Sequence, residues 1–382
     1  VYKRQAVAEA ITNLLGVGID SLNKIKLSAN WMAASSHEGE YQALFEAVEA
    51  IGMQLCPDLD IGIPVGKDSM SMQTKWQDGE NSKQVTAPMS LIISAFAAVD
   101  DVRKHVTPQL TGTVGNELLM IDLSAGKNRL GGSVLYQAQQ QMGKHTPDLD
   151  DVSHLRHLFA FMHEAINQGL VLACHDKSDG GLAATVTEMA FAGHCGVKIN
   201  VPDDVAVDAF LFNEEPGLVI EVNDQQIDAL MELLSEYKLT DLTNHIGDIT
   251  AHDEIVIKHQ DHNTRWQRTD LEKIWSTPSY LMALHRDNPE SAEQEFEAIS
   301  QDSPGMRPRV DFTYDEKVIT PYVNVTRPSL AVLREQGVNG QSEMAAAFMR
   351  AGFDCVDVHM QDLIDKQVKL DSFHGLVACG GF

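Results

Sequence analysis

The chain has 382 residues, with 29 Lys+Arg against 55 Asp+Glu and a formal net charge of −26. That length fits about two or three domains with full cores. The acidity argues against a nucleic-acid binder, which needs a basic face, but not against nucleotides, because acids hold Mg2+ and the metal holds phosphates.

Five cysteines, Cys56, Cys174, Cys195, Cys355 and Cys379, are scattered and form no C-x-x-C. They fit a reducing cytoplasm and no structural zinc site. There is no signal peptide and no apolar run of membrane-spanning length. The sequence begins VYKRQ, without an initiator Met, and stops at a glycine pair before Phe382. Both ends read as cut, so a piece of a longer protein is expected.

In chain order, AVAEAITNLL places Val7, Ala10, Ile11, Leu14 and Leu15 on one helical stripe, ended by Gly16 and Gly18. Ile25 to Met32 reads as a strand and Tyr41 to Leu55 as a second amphipathic helix. Next comes GIPVGKDSMSM, residues 62 to 72. It is not a P-loop: Gly62 is one residue too close to Gly66, and Asp68 stands where the magnesium-binding hydroxyl belongs. A turn between strands and a phosphate loop of another design are both open. Pro88 to Val99 reads as a buried strand.

The pattern restarts near Thr107-Pro108. Glu117 to Leu123 predicts a strand, Gly131-Gly132-Ser133 opens a helix, and Leu155 to Gln168 is another helix. Leu170 to Cys174 predicts a short strand, followed by HDKSDGG and the helix LAATVTEMAFAG. His194 and Cys195 read as its C-terminal turn. Leu218 to Val222 and Glu254 to Lys258 add strands, completing a second α/β unit. From about Trp275 the sequence turns polar, acidic and Pro-bearing, as suits a helical arm or linker. At Arg327-Pro328 a third unit begins: strand Leu330 to Leu333, the loop REQGVN, helix Ser342 to Arg350, then strands Phe353 to Val358 and Leu376 to Cys379. This is a βαβ opening for a doubly wound sheet.

Three constellations could carry chemistry. In CHDKSDGG (Cys174 to Gly181), backbone N–H groups at a helix start favour anions. Asp176 could take a metal and Ser178 a phosphate oxygen; the plain alternative is helix capping by Ser178 or Asp179. Glu9 and Asn13 are four apart on a helix, so both oxygens share a face. That pair suits Mg2+ or is only a solvated face. The loop Leu333 to Gly340 follows the first strand of the last unit, where such folds bind ligands, or is a tight turn. Cys379 reads as a buried strand cysteine.

PVGKDSMSM, HDKSDGGL with TEMAFAGHCG, LFNEEPG, and VLREQGVNGQSEMAAAFMRAGFDCVDVHMQDL closely resemble the large, single-chain form of phosphoribosylformylglycinamidine synthase. The resemblance runs from about Ala6 to the end, in matching order; residues 1–5 do not look like the family. Aminoimidazole ribonucleotide synthetase and selenophosphate synthetase share the fold of the first two units but lack the amidotransferase opening.

The resemblance implies an α/β chain with a partial N-terminal-type subdomain at 1–107, a C-terminal-type subdomain at 108–270, a linker at 271–327 and a truncated class I glutamine amidotransferase domain at 328–382. It implies a cytoplasmic, monomeric parent that amidates formylglycinamide ribonucleotide using ATP and glutamine, with no nucleic-acid or membrane partner. The half represented here is expected to hold an auxiliary ATP or ADP with Mg2+. Carried over by motif, Glu9, Asn13 and Asp176 match magnesium ligands and Ser178 an ATP contact. Gly66 and Ser69 keep the types of a loop that touches ATP and substrate. Lys67 and Asp68 depart from it, and which of them takes the metal or phosphate role is open. The family's catalytic residues fall outside the chain, so it is expected to be inactive alone. The competing reading is a free-standing nucleotide-binding or scaffolding module without chemistry.

Overall fold

The computed structural model describes residues 2–301, 306, 308–313 and 326–380. The later part of the expected linker and the last two residues lie outside them. The chain divides into two compact units, Val1–Asp302 and Ser303–Phe382.

The first unit opens with α1 (Tyr2–Thr12). Its apolar stripe faces inward, with Val7, Ile11 and Leu15 buried. β1 (Lys26–Met32) follows, then α2 (Glu40–Glu49), which runs through a widened turn at Ala50–Leu55 into α3 (Cys56–Leu59). Pro57 follows the widened turn, at the start of α3. β2 (Gly62–Ser69) then returns parallel to β1. The hairpin β3 (Gln73–Asp78) and β4 (Asn81–Thr86) leads to β5 (Ser90–Phe96), antiparallel to β1. The sheet order is β2-β1-β5.

Two expectations are corrected here. GIPVGKDS is a strand, neither a turn nor a loop. Gly66 pairs with Ala29 so closely that a Cβ there would lie 2.4 Å from the Ala29 carbonyl oxygen, so glycine serves the approach of two strands. β5 is not buried throughout: Ile92 and Phe96 face outward at 53% and 61% exposure. Its residues alternate because only one face of this sheet meets the core.

The second part of this unit is built on a seven-stranded sheet. Its elements are β6 (Glu117–Asp122), α4 (Val134–Ala138), α5 (Val152–Gln168), β7 (Ala173–Lys177), α6 (Gly181–Gly193), β8 (Gly196–Val201), α7 (Val207–Phe212), β9 (Gly217–Val222), α8 (Ile227–Glu236), β10 (Thr243–Thr250), β11 (Glu254–His259) and β12 (His262–Gln267). The order is β12-β11-β8-β10-β6-β9-β7. β6 and β9 are buried on both faces. Leu119, Ile121, Leu218 and Ile220 join the core shared with α1, α5 and α8, whereas Leu118, Met120 and Val219 join a second core with α6 and α7. Asp151 caps α5 by accepting from the Ser153 N–H, and Gly169 ends it in the left-handed conformation.

α9 (Arg268–Arg286) and α10 (Pro289–Ala298) pair through stacked Tyr280 and Phe296 rings, 4.2 Å between centroids. Among the described residues no helix is long and apolar enough to cross a membrane.

The second unit holds β13 (Ser329–Arg334), α11 (Gln341–Arg350), β14 (Asp354–His359), α12 (Met360–Ile364) and β15 (Gly375–Ala378). The strands are all parallel in the order β14-β13-β15. This is the expected start of a doubly wound sheet.

Candidate metal and nucleotide site

α1 and the end of β7 converge. The helix proper stops at Thr12, but the Asn13 N–H still bonds the Glu9 carbonyl at 2.9 Å, so Glu9 and Asn13 stay one turn apart. β7 reaches further than the sequence indicates. It runs to Lys177 rather than ending at Cys174, because Asp176 and Lys177 pair with Leu218 and Gly217 of β9. Asp176 therefore sits on a fixed strand end, 7% exposed. The Asn13 amide donates to Asp176 Oδ2 at 3.3 Å across 163 residues of sequence. Thr185 Oγ1 donates to the Asp176 carbonyl at 3.2 Å.

Glu9 belongs to the same neighbourhood. Burial, reinforced by the charges of Asp179, Asp176 and Glu214, pushes its carboxyl from 4.5 up to about 7 against an opposing hydrogen bond from Gln5. Gln5 Nε2 lies 2.7 Å from Glu9 Oε1 and 2.7 Å from the Glu214 carbonyl. An acid held this way gains from a nearby cation.

Among the described residues no three His, Cys, Asp or Glu side chains are placed to hold a metal by themselves. The set Glu9, Asp176 and Asn13 is two carboxylates and an amide. That fits Mg2+, which commonly takes one or two carboxylates and completes its shell with phosphate and water oxygens. In such a site these three would hold the metal, and the metal would neutralise phosphate charge.

After β7 the chain turns at Ser178-Asp179, and Gly180 and Gly181 both take positive φ, 82° and 64°. A Cβ on Gly181 would lie 2.5 Å from the Asn213 oxygen and 2.9 Å from that of Leu211, so only glycine lets α6 start against this loop. Gly180 is the N-cap and no side-chain cap bond is made, so the capping alternative for Ser178 or Asp179 is not realised. Instead the Glu214 carboxylate accepts from the Gly180 N–H at 3.0 Å and from the Val134 N–H at 2.8 Å. Burial raises its pKa. Ser178 is partly exposed at the turn, and its carbonyl accepts from the Gly181 N–H at 2.9 Å.

The segment LFNEEPG supplies the support that residue-by-residue reading missed. Lys177, fully buried, donates to Asn213 Oδ1 at 2.7 Å and lies 3.8 Å from Asp122. Burial lowers its pKa, opposed by Asp122 and Glu215. Glu215 is gripped by the Arg129 guanidinium, which also holds Asp150. His175 lies in the HDKSDGG segment, and the sequence alone assigns it no role. Its Nδ1 lies 3.1 Å from Asp176 Oδ1 and its Nε2 3.0 Å from Glu188 Oε2. Burial alone would depress the imidazolium, but these two carboxylates outweigh it and raise its pKa to about 9. The signal that could have found Glu214 and Glu215 was a pair of acids in an apolar stretch, ahead of a Pro-Gly turn.

Gly66, Lys67, Asp68 and Ser69 lie on β2, an edge strand, and Gly66, Lys67 and Asp68 are exposed. None of the hydrogen bonds described among these residues joins them to Glu9, Asn13, Asp176 or Ser178. The loop before α11 forms a turn in which Gly337 has φ 84°.

The fold is that of an α/β protein with an aminoimidazole ribonucleotide synthetase-like part, extended by an amidotransferase-type sheet. Three family models match in succession: an FGAR-AT PurM_N-like domain at residues 2–98, the C-terminal domain of AIR synthase related proteins at 113–260, and a CobB/CobQ-like glutamine amidotransferase domain at 327–382. That succession makes the chain a phosphoribosylformylglycinamidine synthase-like protein. The first match begins at residue 2, which corrects the expectation that residues 1–5 stand outside the family.

Among solved structures, the Thermotoga maritima PurLQS complex is similar at 12% identity and a TM-score of 0.50, over 70% of this chain and 40% of that one. T. maritima PurL complexed with ATP matches at 12% identity and TM-score 0.47, with the same coverage. Escherichia coli HypE, a hydrogenase maturation protein, matches at 18% and 0.45, over 68% of this chain and 78% of that one. The chain thus spans about 40% of the length of the PurL chains it matches.

Proposed function

We propose that this chain is the nucleotide-holding portion of an ATP-dependent ligase that amidates formylglycinamide ribonucleotide with glutamine-derived ammonia. The products are formylglycinamidine ribonucleotide, ADP, phosphate and glutamate. The observation that carries the reading is the contact of Asn13, just beyond α1, with Asp176 on β7. The partly buried Glu9 carboxyl lies one turn before Asn13, its pKa raised in part by the Asp176 charge. In this reading the three side chains are hard-oxygen Mg2+ ligands, beside Ser178, in a chain with the family's succession of domains. Glu9, Asn13 and Asp176 would hold Mg2+, which would supply positive charge to offset the phosphates of an auxiliary ATP or ADP. Ser178 contacts the nucleotide, and burial of Asp176 keeps its carboxylate in one orientation.

Gly66 and Ser69, with Lys67 or Asp68, face a second site completed by a first synthetase half. The exposed face of the β2-β1-β5 sheet is where that half would pack. The domain divisions at 107, 270 and 327 belong to the same reading, as do a cytoplasmic location and a monomeric parent. In this reading product formation needs the first synthetase half as well as this one.

The test supplies the missing half in trans with ATP, ammonia and the ribonucleotide. Amidine formation only with both halves supports the reading. Product from the 382-residue chain by itself would show that Gly66 serves a complete site of its own and overturn the two-half assignment.

A further inference from the structure

His175 is bound on both sides. Its Nδ1 meets Asp176 Oδ1 at 3.1 Å and its Nε2 meets Glu188 Oε2 at 3.0 Å. The other Glu188 oxygen, Oε1, accepts from the Trp275 indole N–H at 2.9 Å. The other Asp176 oxygen, Oδ2, accepts from the Asn13 amide at 3.3 Å. The result is one chain of hydrogen bonds across four elements: indole on α9, carboxylate on α6, imidazole and carboxylate on β7, and amide just beyond α1. Trp275 is also fixed edge-on to Phe191 of α6, with ring centroids 6.0 Å apart. Each carboxylate has one oxygen assigned to each neighbour, so neither can rotate without breaking a bond.

We propose that His175 is a positioning residue for Asp176: anchored by Glu188 and Trp275, it holds Oδ1 so that Oδ2 and the adjoining Asn13 are presented to a divalent cation. The proposal rests on the reading of Asp176 as a cation ligand. Partners that hydrogen-bond a ligating carboxylate fix its orientation, and their loss typically weakens metal affinity about 10–100-fold. α9 is the helix that follows β12 and leads into α10. Its indole contact therefore ties the placement of that helix to the geometry of the cation site.

The two imidazole nitrogens can be mimicked separately. The amide nitrogen of His175→Asn falls near Nδ1 and keeps the bond to Asp176. That of His175→Gln falls near Nε2 and keeps only the bond to Glu188. The probe is Mn2+ with ATP, and its affinity for the 382-residue chain is read by electron paramagnetic resonance. Melting temperature in chelator is recorded alongside. The expected result is a loss of about tenfold or more for His175→Gln and less than about threefold for His175→Asn. Trp275→Phe, which keeps the ring against Phe191 and removes only the donor, should show a smaller loss of about two- to fivefold.

Equal weakening by the Asn and Gln variants, tracking their loss of melting temperature, would reduce His175 to a packing residue and overturn the proposal. So would wild-type affinity in both. Mn2+ binding that survives Asp176→Asn would overturn the cation-site reading itself. Absence of Mn2+ binding by the wild-type chain would overturn both.

Discussion

The two larger sheets of the first unit are built from similar strands but end in different environments. In the seven-stranded sheet, β6 and β9 send alternate residues into two separate cores, so Leu119 and Leu118 are both buried although they point opposite ways. In the three-stranded sheet, Leu91, Ile93 and Ala95 of β5 pack on the core, while Ile92 and Phe96 stand in solvent, as does Val65 of β2 at 62% exposure. The hairpin β3-β4 likewise leaves Trp76 and Val85 exposed. One sheet is sandwiched by helices, and the other is covered on one side only. The same apolar alternation therefore builds a closed core in one place and an open apolar face in the other. Such a face marks an interaction surface. The catalytic partner in the proposed ligase would meet the chain here, whereas the proposed metal ligand Asp176 stands at the end of β7 in the closed sheet.

The largest effects should come from the closed side. Ile121→Ala removes a fully buried side chain and should cost about 3–5 kcal/mol of unfolding free energy in urea titrations, against about 0.5 kcal/mol or less for Ile92→Ala. Equal costs would mean that the open face is covered in solution. Gly181→Ala combines a left-handed backbone with a clash against the loop at residues 211–213. A loss of about 2–4 kcal/mol is expected by the same titration, and a loss below about 0.5 kcal/mol would show that the loop can move away.

Asp176→Asn should lower nucleotide and Mg2+ retention in the full-length parent. Its melting temperature should fall along with its rate, because a ligand bound only by the native state stabilises it. Unchanged nucleotide content with unchanged melting would remove Asp176 from the site.

A smaller effect concerns acid. The His175 hydrogen bond, with help from the Trp275 indole and His175 charge, holds Glu188 below its ordinary 4.5 despite burial. A carboxyl with a lowered native pKa contributes stability above 4.5 and loses it as pH falls through the native value. Melting temperatures of Glu188→Gln should thus decline less steeply than wild type from about pH 5 to pH 3. Parallel declines would place the acid sensitivity elsewhere. The smallest contrast is in thiol labelling. Cys355 and Cys379, half-buried, should react before the buried Cys56, Cys174 and Cys195. For Cys174 and Cys195, burial pushes the thiols up to about 12 and about 11, which keeps them unreactive near neutral pH.

Much of this was legible from local pattern. The stripe Val7-Ile11-Leu15, the helix Leu155 to Gln168 with its closing Gly169, the strand Leu218 to Val222 and the parallel opening after Pro328 each follow from periodicity and punctuation in a few adjacent residues. Several strands were not legible. β8, β10 and β12 carry mixed polar sequences, GVKINV, TNHIGDIT and HNTRWQ, that become strands by pairing with neighbours already in place. The sequence pattern ends β7 three residues short, at Cys174, because HDK has no strand propensity of its own. Pairing with β9 extends it.

The sequence by itself determined which residues could serve as ligands: the carboxylate and amide four apart on α1, the acid and hydroxyl beside a glycine pair, and the succession of three domain types. Only the tertiary structure decided that Asn13 meets Asp176 with Glu9 nearby, that Glu214 rather than a helix cap fills the start of α6, and that His175 and Glu188 stand behind Asp176. The reason is physical. A helix face or a strand end is specified by neighbours a few residues away, but which face meets which strand end is set by burial of the α1 stripe in a core drawn from the whole unit. No local pattern encodes a hydrogen bond spanning 163 residues.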